Sequence, residues 1–179
     1  MAGVIAEGPL EAWRGRAEKI FSPAHVEMND YQRDYNFGAE SENEVIEALN
    51  KVFNTELCKT SRYSKMDFTS DWLDVELKSR NVERNAYKST IVPKSKIDYI
   101  KRSNQTKKYV FAFRFTDGLY YIEYDETVFN SLECKMFVRS ERTGTNDIKQ
   151  LYYHIPVDQL KCIETVEQKV ARCVKTYDA

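Results

Sequence analysis

A chain of 179 residues, 42% apolar and 13% aromatic, is long enough to bury one core, and its four cysteines (Cys58, Cys134, Cys162, Cys173) are too scattered to spell a zinc signature. No apolar run approaches the ~18–20 residues that span a bilayer, and MAGVIAEGPLEAW lacks the basic start and apolar stretch of a secretory signal, so a soluble, intracellular protein with reduced thiols is expected. The net charge of −1 excludes a uniformly basic polymer-binding chain, and with His25 and His154 alone there is little support for histidine-based hydrolysis or a His-rich metal site.

Residues 1–36 read as an extension that packs on the core: Leu10, Trp13, Ala17, Ile20 and Phe21 fall at helical spacing, and Pro23 limits the helix. Such an extension can dock in cis or join two copies in a homodimer. Residues 37–179 then form a single domain. The segment GAESENEVIEALNKVFN predicts a helix, with Ser41 available as a cap and Val45, Ile46, Leu49, Val52 and Phe53 on one apolar stripe.

Strands are expected near 56–62, 66–72 and 73–80. A polar segment then leads to Pro93, suited to open a helix containing Ile97 and Ile100. YVFAFRFTDGLYYIEYD predicts a hairpin about Asp-Gly, and shorter strands near 134–138 and 150–155 flank the polar loop RSERTGTND. The order helix, three strands, helix, strand and further β structure predicts a mixed α/β sheet.

The stretch DFTSDWLDVELKSR holds the chemistry. As a strand, alternation sends Leu73, Val75 and Leu77 to one side and Asp74, Glu76, Lys78 and Arg80 to the other. One account is a hydrated sheet face with a cross-strand ion pair. The other is a bent hairpin, in which Asp67 ends one strand beside Glu76 and Lys78 on the next. Two converging carboxylates raise each other's pKa unless a cation bridges them. Mg2+ suits that role, with Mn2+ as a substitute, since it takes carboxylates, waters and phosphate oxygens. A lysine beside it can orient a water or steady charge on phosphate. Asp71 and Asp74 are alternatives for the first acid; Asp67 leaves the better loop length.

Charge is divided along the chain. From Lys78 to Lys108 ten basic residues face Glu83 and Asp98, a local charge of +8 that leaves −9 for the remainder. Such division suggests a polyanion surface, to which Arg80, Arg84, Lys88, Lys94, Lys96, Lys101 and Arg102 would contribute. The alternative is a solvated segment whose charges pair with acidic neighbours.

Asp67, eight residues, then Glu76-Leu77-Lys78 resembles the split motif of the PD-(D/E)XK nuclease superfamily, and Gly38 to Glu42 resembles the Gly-x-x-x-Glu of its first helix. Met66 stands where the family has its namesake proline. The resemblance, over about residues 38–115, implies the restriction-endonuclease-like fold and a nuclease, viral, phage or repair-type. It implies Glu42, Asp67, Glu76 and the Leu77 carbonyl as metal ligands and Lys78 as the residue assisting the attacking water. It also implies a nucleic-acid partner, DNA favoured over RNA, met in cytoplasm or nucleus, or in a host cell if viral. The competing function is a non-catalytic nucleic-acid-binding or assembly module on the same fold.

Overall fold

The computed structural model describes residues 42, 44–103, 106–137, 149–166 and 168. The expected extension 1–36, Gly38, Ser41 and the loop RSERTGTND lie outside the described residues.

Helix α1 (residues 44–53) forms where the apolar stripe predicts it. Val45 and Leu49 are buried and Ile46 and Phe53 partly so, but Val52 in the last turn remains 45% exposed. Asn54, at φ 47°, ends the helix in the left-handed region that asparagine tolerates, and the Asn50 side chain accepts a hydrogen bond from the Leu57 N–H at 2.8 Å.

Short strands β1 (Cys58–Lys59) and β2 (Phe68–Thr69) lead to β3 (Leu73–Ser79). The expected strands at 56–62 and 66–72 are each reduced to two residues, because the chain between them folds into a loop. Next comes β4 (Ser89–Pro93), which polarity had concealed, and the expected helix with Ile97 and Ile100, α2 (Lys94–Arg102), opens directly after Pro93. Strands β5 (Lys108–Phe115) and β6 (Gly118–Glu123) make the predicted hairpin. Its two turn residues are Thr116 and Asp117, not Asp-Gly. Gly118 instead begins β6, where a Cβ would stand 2.7 Å from the Glu164 carbonyl oxygen of the neighbouring strand. Helix α3 (Glu126–Ser131) is capped by Asp125. Then follow β7 (Glu133–Phe137), β8 (Gln150–Pro156) and β9 (Lys161–Thr165), the last of them not foreseen.

The main sheet has the order β1-β2-β3-β5-β6-β9, and β3 runs parallel to β5 while its other pairs are antiparallel. A parallel pair needs a long crossover. Here β4 and α2 supply it. The second sheet, β4-β8-β7, is antiparallel.

Both faces of the main sheet are covered, which is why the first half of β3 and most of β5 are buried. On one face Val45 and Leu49 of α1 pack on Leu73, Val75, Val110 and Ala112. On the other, Ile97 and Ile100 of α2 join Phe111, Phe113, Tyr153 and Ile155. Register puts Glu76 beside Phe111 and Lys78 beside Phe113. At Glu76 the charged face of β3 is therefore not hydrated, while Lys78 stays partly exposed. The face is roofed by α2 and the second sheet.

Candidate active site

The β2–β3 hairpin sets the site. Phe68 faces Val75 and Thr69 faces Asp74, and the Ser70 N–H closes the turn on the Leu73 carbonyl at 2.8 Å. One residue outward the pairing turns irregular: the Asp67 N–H still donates to the Val75 carbonyl at 2.9 Å. The Leu77 N–H, which a continuing β2 would take with a backbone carbonyl, donates to Oδ2 of Asp67 at 2.8 Å. A side chain thus replaces a strand and holds its carboxylate at the edge of β3.

Glu76 is 0% exposed. An isolated carboxylate in such a place is very costly, so its oxygens must be matched. Oε1 accepts from Nζ of Lys78, and Oε2 from Nζ of Lys96 at 2.7 Å. Nζ of Lys78 also reaches the Leu77 carbonyl at 3.3 Å, and Nζ of Lys96 donates to the carbonyl of Lys65. The Asp67 carboxyl is pushed above its ordinary range, first by desolvation and next by the charge of Glu76; Lys78, the Leu77 N–H and Lys96 draw it partly back. Two acids and two ammonium groups are thus concentrated within one end of the sheet.

Lys96, one of the seven basic residues expected at a polyanion surface, stands on the buried acid: its Nζ donates to Oε2 of Glu76. It stands in the first turn of α2, one helical turn before buried Ile100, so its stem runs at the edge of the helix's packed face. That spacing was the available signal. Arg84, by contrast, donates to the Val157 carbonyl at 3.1 Å and stacks 5.1 Å from the Tyr120 ring centroid. Arg80 donates to the Ile91 carbonyl at 3.1 Å. Lys94 pairs with Asp98, Lys101 with Asn130, and Nε of Arg102 donates to the Asp98 carbonyl, while Lys88 is exposed.

The structure joins Glu42 to Lys59 at 2.9 Å, and among the described residues no three of His, Cys, Asp and Glu gather as a metal cluster. The reason is that α1 packs on the Leu73–Val75 face, opposite the face of Glu76. Asp74 has its own company: Thr69 Oγ1 donates to it at 2.5 Å, and Nζ of Lys107 stands 3.2 Å away while also bonding the Ser70 carbonyl. That clamp closes the hairpin turn, in which Asp71 is exposed. The oxygen donors that could serve one hard cation are therefore Asp67, Glu76 and the Leu77 carbonyl. Mg2+ is commonly held by one or two carboxylates, with waters and phosphate oxygens completing its shell, so the set fits.

No curated protein matches this chain. The family model described as "Phage putative PDDEXK endonuclease" matches residues 31–163, which includes every element from α1 to β8 and all of the acid–lysine surroundings just described. The chain belongs to this phage family of the PD-(D/E)XK nuclease superfamily.

Proposed function

We propose that this chain is a metal-dependent nuclease that hydrolyses phosphodiester bonds in DNA, with Mg2+ as its cation and Mn2+ as a substitute, and that it serves phage DNA processing. The observation that carries this reading is the fully buried Glu76 with Asp67 beside it and Lys78 and Lys96 on its two oxygens. A hydrophobic residue would fill that place in the sheet at lower cost, so the concentration of charge is better explained by chemistry than by stability.

Asp67, Glu76 and the Leu77 carbonyl would hold the cation; Glu42, held by Lys59, is not assigned to it. When bound, such a cation supplies Lewis acidity at a phosphate oxygen and lowers the pKa of a water. In hydrolysis a water oxygen forms a bond to phosphorus as its proton passes to solvent, and the bond from phosphorus to the sugar oxygen breaks, that oxygen keeping the electron pair and taking a proton from solvent to leave as a hydroxyl. Lys78 orients that water and steadies the charge that develops on the phosphate. Lys96 donates to a second phosphate oxygen, drawing the backbone into line. Both lysines are preorganised by Glu76, which spares the cost of ordering them on substrate arrival.

The test is incubation of the full chain with supercoiled plasmid, linear duplex, single-stranded and branched DNA, and RNA, each with Mg2+, Mn2+ or a chelator. Plasmid nicking or linearisation that needs the cation is expected, with RNA left intact. Binding without cleavage under every condition would leave a nucleic-acid-binding module, and cleavage unaffected by chelator would end the metal assignment.

A further inference from the structure

The loop from Thr60 to Asp67 joins β1 to β2 and ends on an acid of the site. It is tied down along its length. The Thr60 N–H donates to the Asp67 carbonyl at 3.0 Å, Thr60 Oγ1 to the Met66 carbonyl, and the Ser64 N–H to the Ser61 carbonyl at 2.9 Å. Met66 is buried in the core, and Lys96 bonds the Lys65 carbonyl with the same Nζ that bonds Glu76. The loop is thus fastened to the acid pair through one ammonium group.

At its tip the restraint is spent on an unusual side chain. Tyr63 is 84% exposed, the most exposed large apolar residue among those described. A lone surface aromatic needs no explanation by itself. This one is oriented: the Arg62 guanidinium carbon lies 5.4 Å from the ring centroid, so one face of the ring is backed by a cation while the ring as a whole stays open to solvent. Arg62 and Lys65 are exposed, and among the described residues neither has a carboxylate partner. Tyr63 precedes Asp67 by four positions, so their Cα atoms are at most ~14 Å apart, a span of a few nucleotides.

An aromatic face, cations with no carboxylate partner among the described residues and a tie to the acid pair together suit one ligand chemistry, a nucleic-acid strand whose bases are unstacked from a partner. We infer that Tyr63 stacks on an unpaired base next to the phosphate held at Asp67 and Glu76, with Arg62 and Lys65 on the flanking phosphates, so that the substrate is single-stranded or locally opened at the cut. This rests on the nuclease reading for the position of the phosphate, and on the loop alone for the stacking. Duplex with every base paired offers Tyr63 no face to cover, and its cations only a backbone.

The experiment measures binding of a fluorescein-labelled 12-mer carrying one 2-aminopurine, as a single strand and as a blunt duplex, in Ca2+. The proteins are the full chain and its Tyr63→Ala, Tyr63→Phe and Arg62→Gln variants. Stacking predicts that Tyr63→Ala weakens single-strand binding roughly 5- to 100-fold and abolishes 2-aminopurine quenching, with duplex binding changed less than two-fold. Tyr63→Phe keeps both properties, because the ring and not the hydroxyl makes the contact. Arg62→Gln weakens both ligands and lowers the salt slope. Equal affinities for wild type and Tyr63→Ala, or an equal loss on single strand and duplex, overturns the inference. Cleavage in Mg2+ is scored in parallel. A wild type that binds through Tyr63 yet cuts nothing removes the nuclease reading and leaves the stacking site, whereas a wild type that cuts while Tyr63→Ala binds normally does the reverse.

Discussion

Nζ of Lys96, in the first turn of α2, lies 2.7 Å from Oε2 of Glu76 in the middle of β3. The contact joins the crossover helix to the strand it covers and gives the buried carboxylate its second cation. Its removal leaves Glu76 with Lys78 alone. Lys96→Met should therefore lower folding stability by about 1–3 kcal/mol, measured by urea denaturation at neutral pH, because a buried charged acceptor loses a partner. In the double variant Lys96→Met with Glu76→Gln, much of that loss should return. Simple additivity of the two changes would mean that the residues are not coupled.

Lys78→Ala separates chemistry from architecture. With Lys96 still on Glu76, the fold and Mn2+ affinity should survive, while plasmid cleavage falls by about 10²–10⁴-fold, the range a group acting on the water or the transition-state charge contributes. Single-turnover assays and calorimetric Mn2+ titration read the two quantities. Undiminished cleavage would reduce Lys78 to a counter-ion of Glu76.

Asp67 carries a pH signature. Its carboxyl is raised in the folded chain, chiefly by desolvation and by Glu76, so the ionised form is penalised relative to the unfolded chain. The penalty is absent well below the ordinary carboxylate range and complete once the pH has passed the raised value. Asp67→Asn should accordingly be more stable than the wild type at neutral pH, with the difference shrinking as pH falls through the carboxylate range. Mg2+ should then reverse the ranking, since it stabilises only the chain that binds it. Thermal midpoints of the two proteins at neutral and acid pH, with and without Mg2+, decide the matter; a wild type unmoved by Mg2+ would contradict the ligand role.

Arg84 lies in the basic segment yet faces inward. Arg84→Ala should cost about 1–3 kcal/mol of stability, through the lost bond to the Val157 carbonyl and the lost stacking on Tyr120, and should leave DNA affinity at moderate salt within about two-fold of wild type. Unfolding curves paired with anisotropy titrations test both halves.

What the sequence made legible was whatever local periodicity or spacing encodes. Alternation placed Glu76 and Lys78 on one face, and the gap from Asp67 to Glu76 forecast the bent hairpin. What covers a face is not local information. Phe111 and Phe113 belong to β5, and only the parallel pairing of β3 with β5 brings them beside Glu76 and Lys78. Strand β4 was hidden for a similar reason: five residues ending in proline carry too little pattern, and their pairing partner lies on β8, far along the chain. Glu42 was legible as a helix residue, but its partner Lys59 became visible only once α1 had a face of the sheet to pack on. The +8 segment gave the sign of the local field but not the fate of each charge, because Arg84 and Lys107 are consumed by contacts that fold the chain.

The hydrogen bond from the Leu77 N–H to the Asp67 carboxylate has a consequence for how the chain avoids error. Strand β2 is only two residues long, and so short a strand holds its alignment weakly against sliding along its neighbour. A slip by one position would turn Phe68 out of its apolar pocket and carry Asp67 toward Leu73 and Val75. In that misaligned chain the Leu77 N–H would lose its acceptor, and a carboxylate would enter an oily layer beneath α1. The same oxygen atoms proposed to serve the reaction thus act as a latch during assembly. A mutation that shortens Asp67, and so takes the acceptor away from the Leu77 N–H, would loosen the alignment of the hairpin.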